Sequence, residues 1–238
     1  VLAVVVAALP ASLISHFLPP SVHAEDFSGS LWHGSAGVIR VNARDAGALE
    51  WRVHPAALLR LRLGADLRWV KVGFVITGAV TVDRGGFSAQ GISGGGPIED
   101  LREFGVAAGW RGHADVNFSL INGNFSRVSA AVGEIAVSNL ASAQLADGAD
   151  LGGYDLRFPE GAVSADGSII SDLTDTGGPL DIQARIRFSP AEHTGLLSGT
   201  LKERAGFPAA LASQLESVAE IRGRDRQGRI PVDLEFSF

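Results

Sequence analysis

Gly91-Ile92-Ser93-Gly94-Gly95 has the G-x-S-x-G spacing of a nucleophile elbow, in which a sharp turn lifts a serine oxygen toward a carbonyl. That chemistry needs a buried strand before the motif and a helix directly after it. Here another glycine and then Pro97 follow. The stretch reads instead as a mobile glycine-rich turn, and it lacks the Gly-Lys-Ser/Thr ending of a phosphate loop. The histidines stand at positions 16, 23, 33, 54, 113 and 193. No two have metal-ligand spacing, and no cysteine supports them. His54 and His113 fall on the polar phase of their segments and read as solvated. Glu99-Asp100 reads as the acidic first turn of a short helix, and Asp172 with Asp175 as turn carboxylates. Asp172-Leu173-Thr174-Asp175 lacks the fuller oxygen set and the closing glutamate of a calcium loop. The expectation is a non-enzyme with no cofactor and no metal.

The elements that carry these residues are strands. Seven stretches alternate apolar and polar residues. Leu61–Trp69 sets Leu61, Leu63, Ala65, Leu67 and Trp69 against Arg62, Gly64, Asp66 and Arg68. Ala114–Leu120 sets Ala114, Val116, Phe118 and Leu120 against Asp115, Asn117 and Ser119. Ile182–Phe188 and Val232–Phe238 behave alike, as do Leu49–Val53, Tyr154–Phe158 and Val38–Val41 over shorter spans. A period of two puts side chains on opposite faces of a pleated strand, one buried and one wet. The spacing predicts a mainly β protein, a large, curved, predominantly antiparallel sheet that meanders over an apolar face. Leu61, Leu63, Leu67 and Trp69 are expected on that face with Val116, Phe118 and Leu120, because a one-residue slip would turn a whole set to water. Trp51 and Trp69 lie on the apolar phase and read as core aromatics.

Helix is expected in two short pieces of the body, Pro97–Phe104 and near 208–219. In the second, Leu211, Leu215, Val218 and Ala219 have helical spacing, with Pro208 before them and Gly223 after. One or two short helices cannot cover about a dozen strands, so the apolar face must fold on itself, meet lipid or meet a partner. Asn122-Gly123 predicts a hairpin between Arg111–Asn122 and Phe125–Ala131.

Composition narrows the class. The chain has 238 residues, 46% hydrophobic and 19% charged, enough to bury a core. Net charge is −6 and no Lys/Arg block stands out, which argues against nucleic acid. There is no cysteine, so disulfides and thiolate sites are excluded. There is also no methionine, and residues ahead of Val1 are expected to be missing.

Val1–Leu18 carries no Asp, Glu, Lys or Arg and stops at Pro19-Pro20. Roughly 20 apolar residues cross a bilayer core. Residues 1–20 are therefore expected to be an N-terminally truncated transmembrane anchor, with residues 21–238 forming one periplasmic β-rich domain. A cleaved signal peptide ending at Val22-His23-Ala24 and a buried helix are the competing readings. The uncleaved anchor is preferred.

Three stretches resemble the type II secretion system protein N family. Ser28-Gly29-Ser30-Leu31-Trp32-His33-Gly34-Ser35-Ala36 is similar to its G-T-L-W-x-G-x-A signature. Leu49-Glu50-Trp51-Arg52-Val53-His54-Pro55-Ala56-Ala57-Leu58-Leu59 is similar to the L-x-W-x-L-x-P-x-x-L-L segment that follows it. Leu197–Arg204, the helix near Leu211–Val218 and Arg226-Gln227-Gly228-Arg229 before a last strand resemble its closing layout. Gly29, Leu31, Trp32, Gly34, Trp51 and Pro55 carry the resemblance. It implies a single-pass bacterial inner-membrane protein with a periplasmic body. It implies an accessory role in assembling or bridging the machinery that exports folded proteins across the outer membrane. Other secretion subunits are then the partners. The family also looks related to AsmA-like proteins, which implies the alternative of an envelope protein that binds or conveys lipid in a groove.

Overall fold

A computed structural model describes residues 9–104, 106, 108–124, 126–143 and 148–237. Thirteen strands form a single sheet in strict sequence order, each antiparallel to the next. They are β1 (Val22–Gly29), β2 (His33–Val41), β3 (Arg44–His54), β4 (Leu63–Lys71), β5 (Phe74–Asp83), β6 (Gly86–Pro97) and β7 (Trp110–Gly123). Then follow β8 (Val128–Ser142), β9 (Gly153–Phe158), β10 (Ile169–Gly177), β11 (Leu180–Ser189), β12 (Thr194–Glu203) and β13 (Ile230–Ser237). Two α-helices, α1 (Pro55–Leu58) and α2 (Ala209–Arg222), and two 3-10 helices, Ala11–Phe17 and Ile98–Phe104, complete the described elements. Pro55 opens α1 where its missing N–H costs nothing. Gly223 closes α2 at φ +78°, its N–H bonded to the Ala219 carbonyl.

The sheet is mainly β and antiparallel, as the alternation predicts, but four expectations change. The anchor is the first. No described helix is long and apolar enough to cross a membrane. Residues 1–8 of the expected span lie outside the described residues. Within the rest, Pro10 bridges Ser30, and Ala11–Phe17 is a seven-residue 3-10 helix. Ala11 and Ile14 pack with Ala36 and Trp51 on the sheet. The described part of this run therefore packs on the sheet, where Trp51 and its neighbours supply apolar surface that a bilayer would otherwise provide.

Leu61 is the second correction. It lies ahead of β4, at φ +55° and 74% exposed. The turn after α1 continues through it, with the Leu61 N–H bonded to the Leu58 carbonyl. The alternation thus runs past the end of the strand. Leu63, the first residue of β4, is also largely exposed. Third, Leu120 leaves the apolar set. A bulge between Phe118 and Leu120 shifts the phase, Leu120 pairs with Gln90, and Ile121 joins the cluster around Phe118. Fourth, Gly91–Gly96 is no turn. It lies inside β6, whose Ser93, Gly94 and Gly95 pair on both sides with β5 and β7. The expected strand positions Phe125 and Phe238 lie outside the described residues.

The accessible surface is 13966 Å2, against roughly 10,000 Å2 for a compact monomer of this mass. A sheet packed on a second layer would hide more. Three apolar clusters follow one another along the sheet instead, centred on Trp51, on Phe74 with Ala114, and on Phe118 with Phe158.

Candidate functional site

Cross-strand pairing sorts the sheet into two faces, and each is continuous. From β1 to β13 the directly paired residues are Phe27, Ala36, Leu49, Trp69, Ile76, Gly94, Val116, Ile135, Leu156, Leu173, Ala184, Gly199 and Val232. No member carries a charge, and the one polar atom in their side chains, Trp69 Nε1, donates to the Ala46 carbonyl at 2.5 Å. At about 4.8 Å per strand the row extends roughly 58 Å. Trp69 and Val116 both stand in it. Leu67 lies two residues before Trp69 on the same phase of β4, and Phe118 two residues after Val116 on β7. Most of the row is half-buried.

One residue away runs the opposite row. It reads Ser28, Ser35, Glu50, Arg68, Thr77, Ser93, Asn117, Glu134, Arg157, Asp172, Arg185, Ser198 and Asp233. All are polar, and acids meet arginines across strands. Arg68 lies 3.0 Å from Glu50, Arg157 3.7 Å from Glu134 and Arg185 3.0 Å from Asp172. These pairs are exposed, so each is worth at most about 1 kcal/mol. Their effect is on register, since a slip would set like charges together.

Ser93 stands in the middle of this row. Its hydroxyl lies 3.5 Å from Thr77 Oγ1, and the Thr77 hydroxyl donates to the Ser93 carbonyl at 3.3 Å. An extended strand lacks the strand-to-helix corner that an elbow needs, so this serine does not sit on the backbone of a nucleophile elbow. No group of three or more His, Asp or Glu side chains suited to a metal is found among the described residues. His54 sits 2.9 Å from Asp66 and His113 3.5 Å from Asp115, both exposed. Asp100 accepts from the Gly73 N–H at 3.2 Å.

The recurrent residues near the start build one joint. Gly29 closes β1 at φ +83°, where a Cβ would press on the His33 carbonyl. Gly34 opens the facing strand beneath the indole of Trp51, and a Cβ there would come within 2.8 Å of that ring. Trp51 is 6% exposed and donates Nε1–H to the Leu31 carbonyl at 3.1 Å. Phe27 meets it edge-on with centroids 6.5 Å apart. The Trp32 carbonyl accepts from the Val53 N–H at 2.7 Å, and the Leu31 N–H reaches the Leu9 carbonyl at 2.8 Å. Gly29, Leu31, Trp32, Gly34 and Trp51 therefore lock the β1–β2 turn onto β3, and Pro55 turns the chain out of β3 into α1. They position strands; none is placed to react.

With that joint and the two rows in view, comparison with known families is decisive. A family model, the type II secretion system protein N, matches residues 20–233. The chain belongs to that family. No curated protein and no solved structure matches it. As a protein N family member it is an accessory component of type II secretion.

A polar cluster that sequence reading missed ties β10, β11 and β12 of this protein N family member together. Asp175 accepts from the Gly177 and Ile182 N–H groups and pairs with Arg204. Arg229 donates to Asp181 at 2.8 Å and to Thr200 at 2.8 Å. The bond from Arg229 holds the Asp181 carboxyl below its ordinary range, helped by the charges of Arg229 and Arg204. Burial pushes the nearby Tyr154 phenol up, and Asp175 and Asp150 add to the shift. The arginine contacts that hold this cluster reach 29 and 48 positions along the chain, so no local motif marks it. A depressed carboxyl stabilises the fold above its ordinary pKa of about 3.9 and loses that contribution as pH falls through the lower folded value. Urea unfolding at pH 7 and pH 3 should therefore show a smaller acid loss of stability in D181N than in the parent chain. An equal loss would contradict the assignment.

Proposed function

We propose that the chain is a non-enzymatic subunit of type II secretion, held at the bacterial inner membrane with its body in the periplasm. It helps assemble or bridge the export machinery through its sheet surfaces. The observation that carries this reading is the pair of continuous rows: one sheet presents an ordered polar face and an apolar face. An anchor keeps the body near membrane-bound partners and raises effective concentration without new contacts.

A second reading, an envelope protein that holds lipid on its apolar face, has its own support. The apolar row is long, uninterrupted and only half-buried. A row without free donors suits acyl chains better than peptide, whose polar backbone would go unsatisfied there. Photo-crosslinking amino acids placed singly at Arg68 and Trp69, in the parent cell, separate the readings. Secretion-subunit adducts at Arg68 are expected from the first. Phospholipid adducts confined to Trp69, with no protein adduct at either position, would replace it with the second.

A further inference from the structure

Strand β13 is the outer edge of the sheet, and its burial pattern differs from that of inner strands. Residues Asp233–Ser237 are all exposed, where an inner strand alternates. Leu234 is 56% and Phe236 38% exposed although both lie on the apolar phase. Among the described residues, backbone groups on one side of this strand have no neighbour in the sheet. Such an edge is a template for another strand.

The charges say which strand. Within the sheet, acids of the polar row meet arginines on the adjacent strand. Asp233 and Glu235 instead face Ser198 and Leu196 of β12. Asp233 has a hydroxyl bond from Ser198 and a 3.6 Å approach from Arg222 of α2. Glu235 has no ion-pair partner among the described residues. Glu235 thus awaits a cation from the open side, and Asp233, two residues before it, has a single cation 3.6 Å away.

The same charges disfavour a second copy. Two β13 edges would bring Asp233 and Glu235 against their own kind. The opposite edge, β1, carries exposed Glu25 and Asp26, and Asp26 at φ +56° drops out of the ladder. Like charges opposite one another and an edge strand interrupted at Asp26 both oppose sheet extension.

We propose that β13 takes up an extended segment of another protein by strand addition, and that this segment alternates lysine or arginine with apolar residues. Its cations would meet Asp233 and Glu235, and its apolar side chains would cover Leu234 and Phe236. Backbone bonds supply affinity and the alternating positions supply choice. The inference rests on the reading of the chain as a docking subunit, and names the edge and the chemistry it uses.

The test is fluorescence anisotropy on the full chain with a labelled peptide alternating lysine and valine. Saturable binding is expected, weakened at least tenfold by E235K and by D233K, and abolished when alternate peptide amides are N-methylated. Exposed Glu235 holds no partner among the described residues, so E235K is expected to leave the fold intact, which circular dichroism verifies. E160K, in the loop after β9, should bind as the parent does. A peptide of alternating glutamate and valine should not bind. Equal binding by the parent and E235K, indifference to N-methylation, or a dimer that E235K disperses would each overturn the proposal. The assay does not involve secretion, so its failure leaves the docking reading standing. Secretion that survives deletion of the gene would remove that reading instead.

Discussion

Replacing Trp51 with alanine is expected to cost about 3–5 kcal/mol, the usual range for deleting a buried large aromatic. Domains of ordinary stability hold only about 5–15 kcal/mol, so the variant should be close to unfolding. Three losses combine. The indole leaves a cavity between Phe27, Ala36 and Ala11. The Leu31 carbonyl loses its Nε1–H donor. Gly34 loses the ring that its missing Cβ makes room for. W51F keeps most of the packing and should lose less, since a hydrogen bond is worth about 1 kcal/mol net. Urea midpoints measure both. A W51A variant within 1 kcal/mol of the parent would show that the joint at the β1–β2 turn does not hold the sheet's first strands.

Valine at Gly94 is the second large effect. Gly94 is a member of the apolar row, between Ile76 and Val116, at φ +156°. A Cβ there would overlap the carbonyl oxygen of Val75, a backbone atom of the neighbouring strand. Rotation of a side chain cannot relieve that contact, so β5 and β6 must part. The expected cost is roughly 3 kcal/mol or more, combining overpacking with an unfavourable backbone geometry. Gly91 is the internal control. It lies three residues earlier at φ +58° with nothing within 4 Å of its added Cβ. G91A should cost only about 1–2 kcal/mol, the penalty of the left-handed conformation. If the two substitutions cost the same, Gly94 serves turn flexibility and not close strand approach.

The contrast between these glycines explains what the sequence hides. Period-two alternation discloses β3, β4, β7 and β11 because each carries side chains of opposite character on its two faces. Strand β6 has glycine at positions 91, 94, 95 and 96, which leaves little side-chain pattern to read. Its conformation is set by β5 and β7, which pair with it from both sides. Leu61 errs in the other direction, since an apolar residue in phase with a strand can still belong to the turn before it. The bulge at Ser119 shows the same limit: phase is read residue by residue, and one extra residue exchanges Leu120 for Ile121. The N-terminal run misleads because a stretch without charges suits a membrane and a protein core alike. Ala11 and Ile14 find Trp51 and Ala36, and nothing local reveals a partner more than 20 positions away. The site residues divide in the same way. Glycine and tryptophan spacing points to the joint at the β1–β2 turn, whereas Asp181, Arg204 and Arg229 meet only through the pairing of distant strands.

The most direct measurement of the central claim is the ratio of secreted to cell-retained type II substrate after deletion of the gene in the parent bacterium. The ratio is expected to fall, with folded substrate accumulating in the periplasm. It should be restored by the parent chain and equally by S93A, because surfaces and not a nucleophile carry the role. An unchanged ratio in the deletion strain, or failure of a stably folded S93A to restore it, would contradict the account.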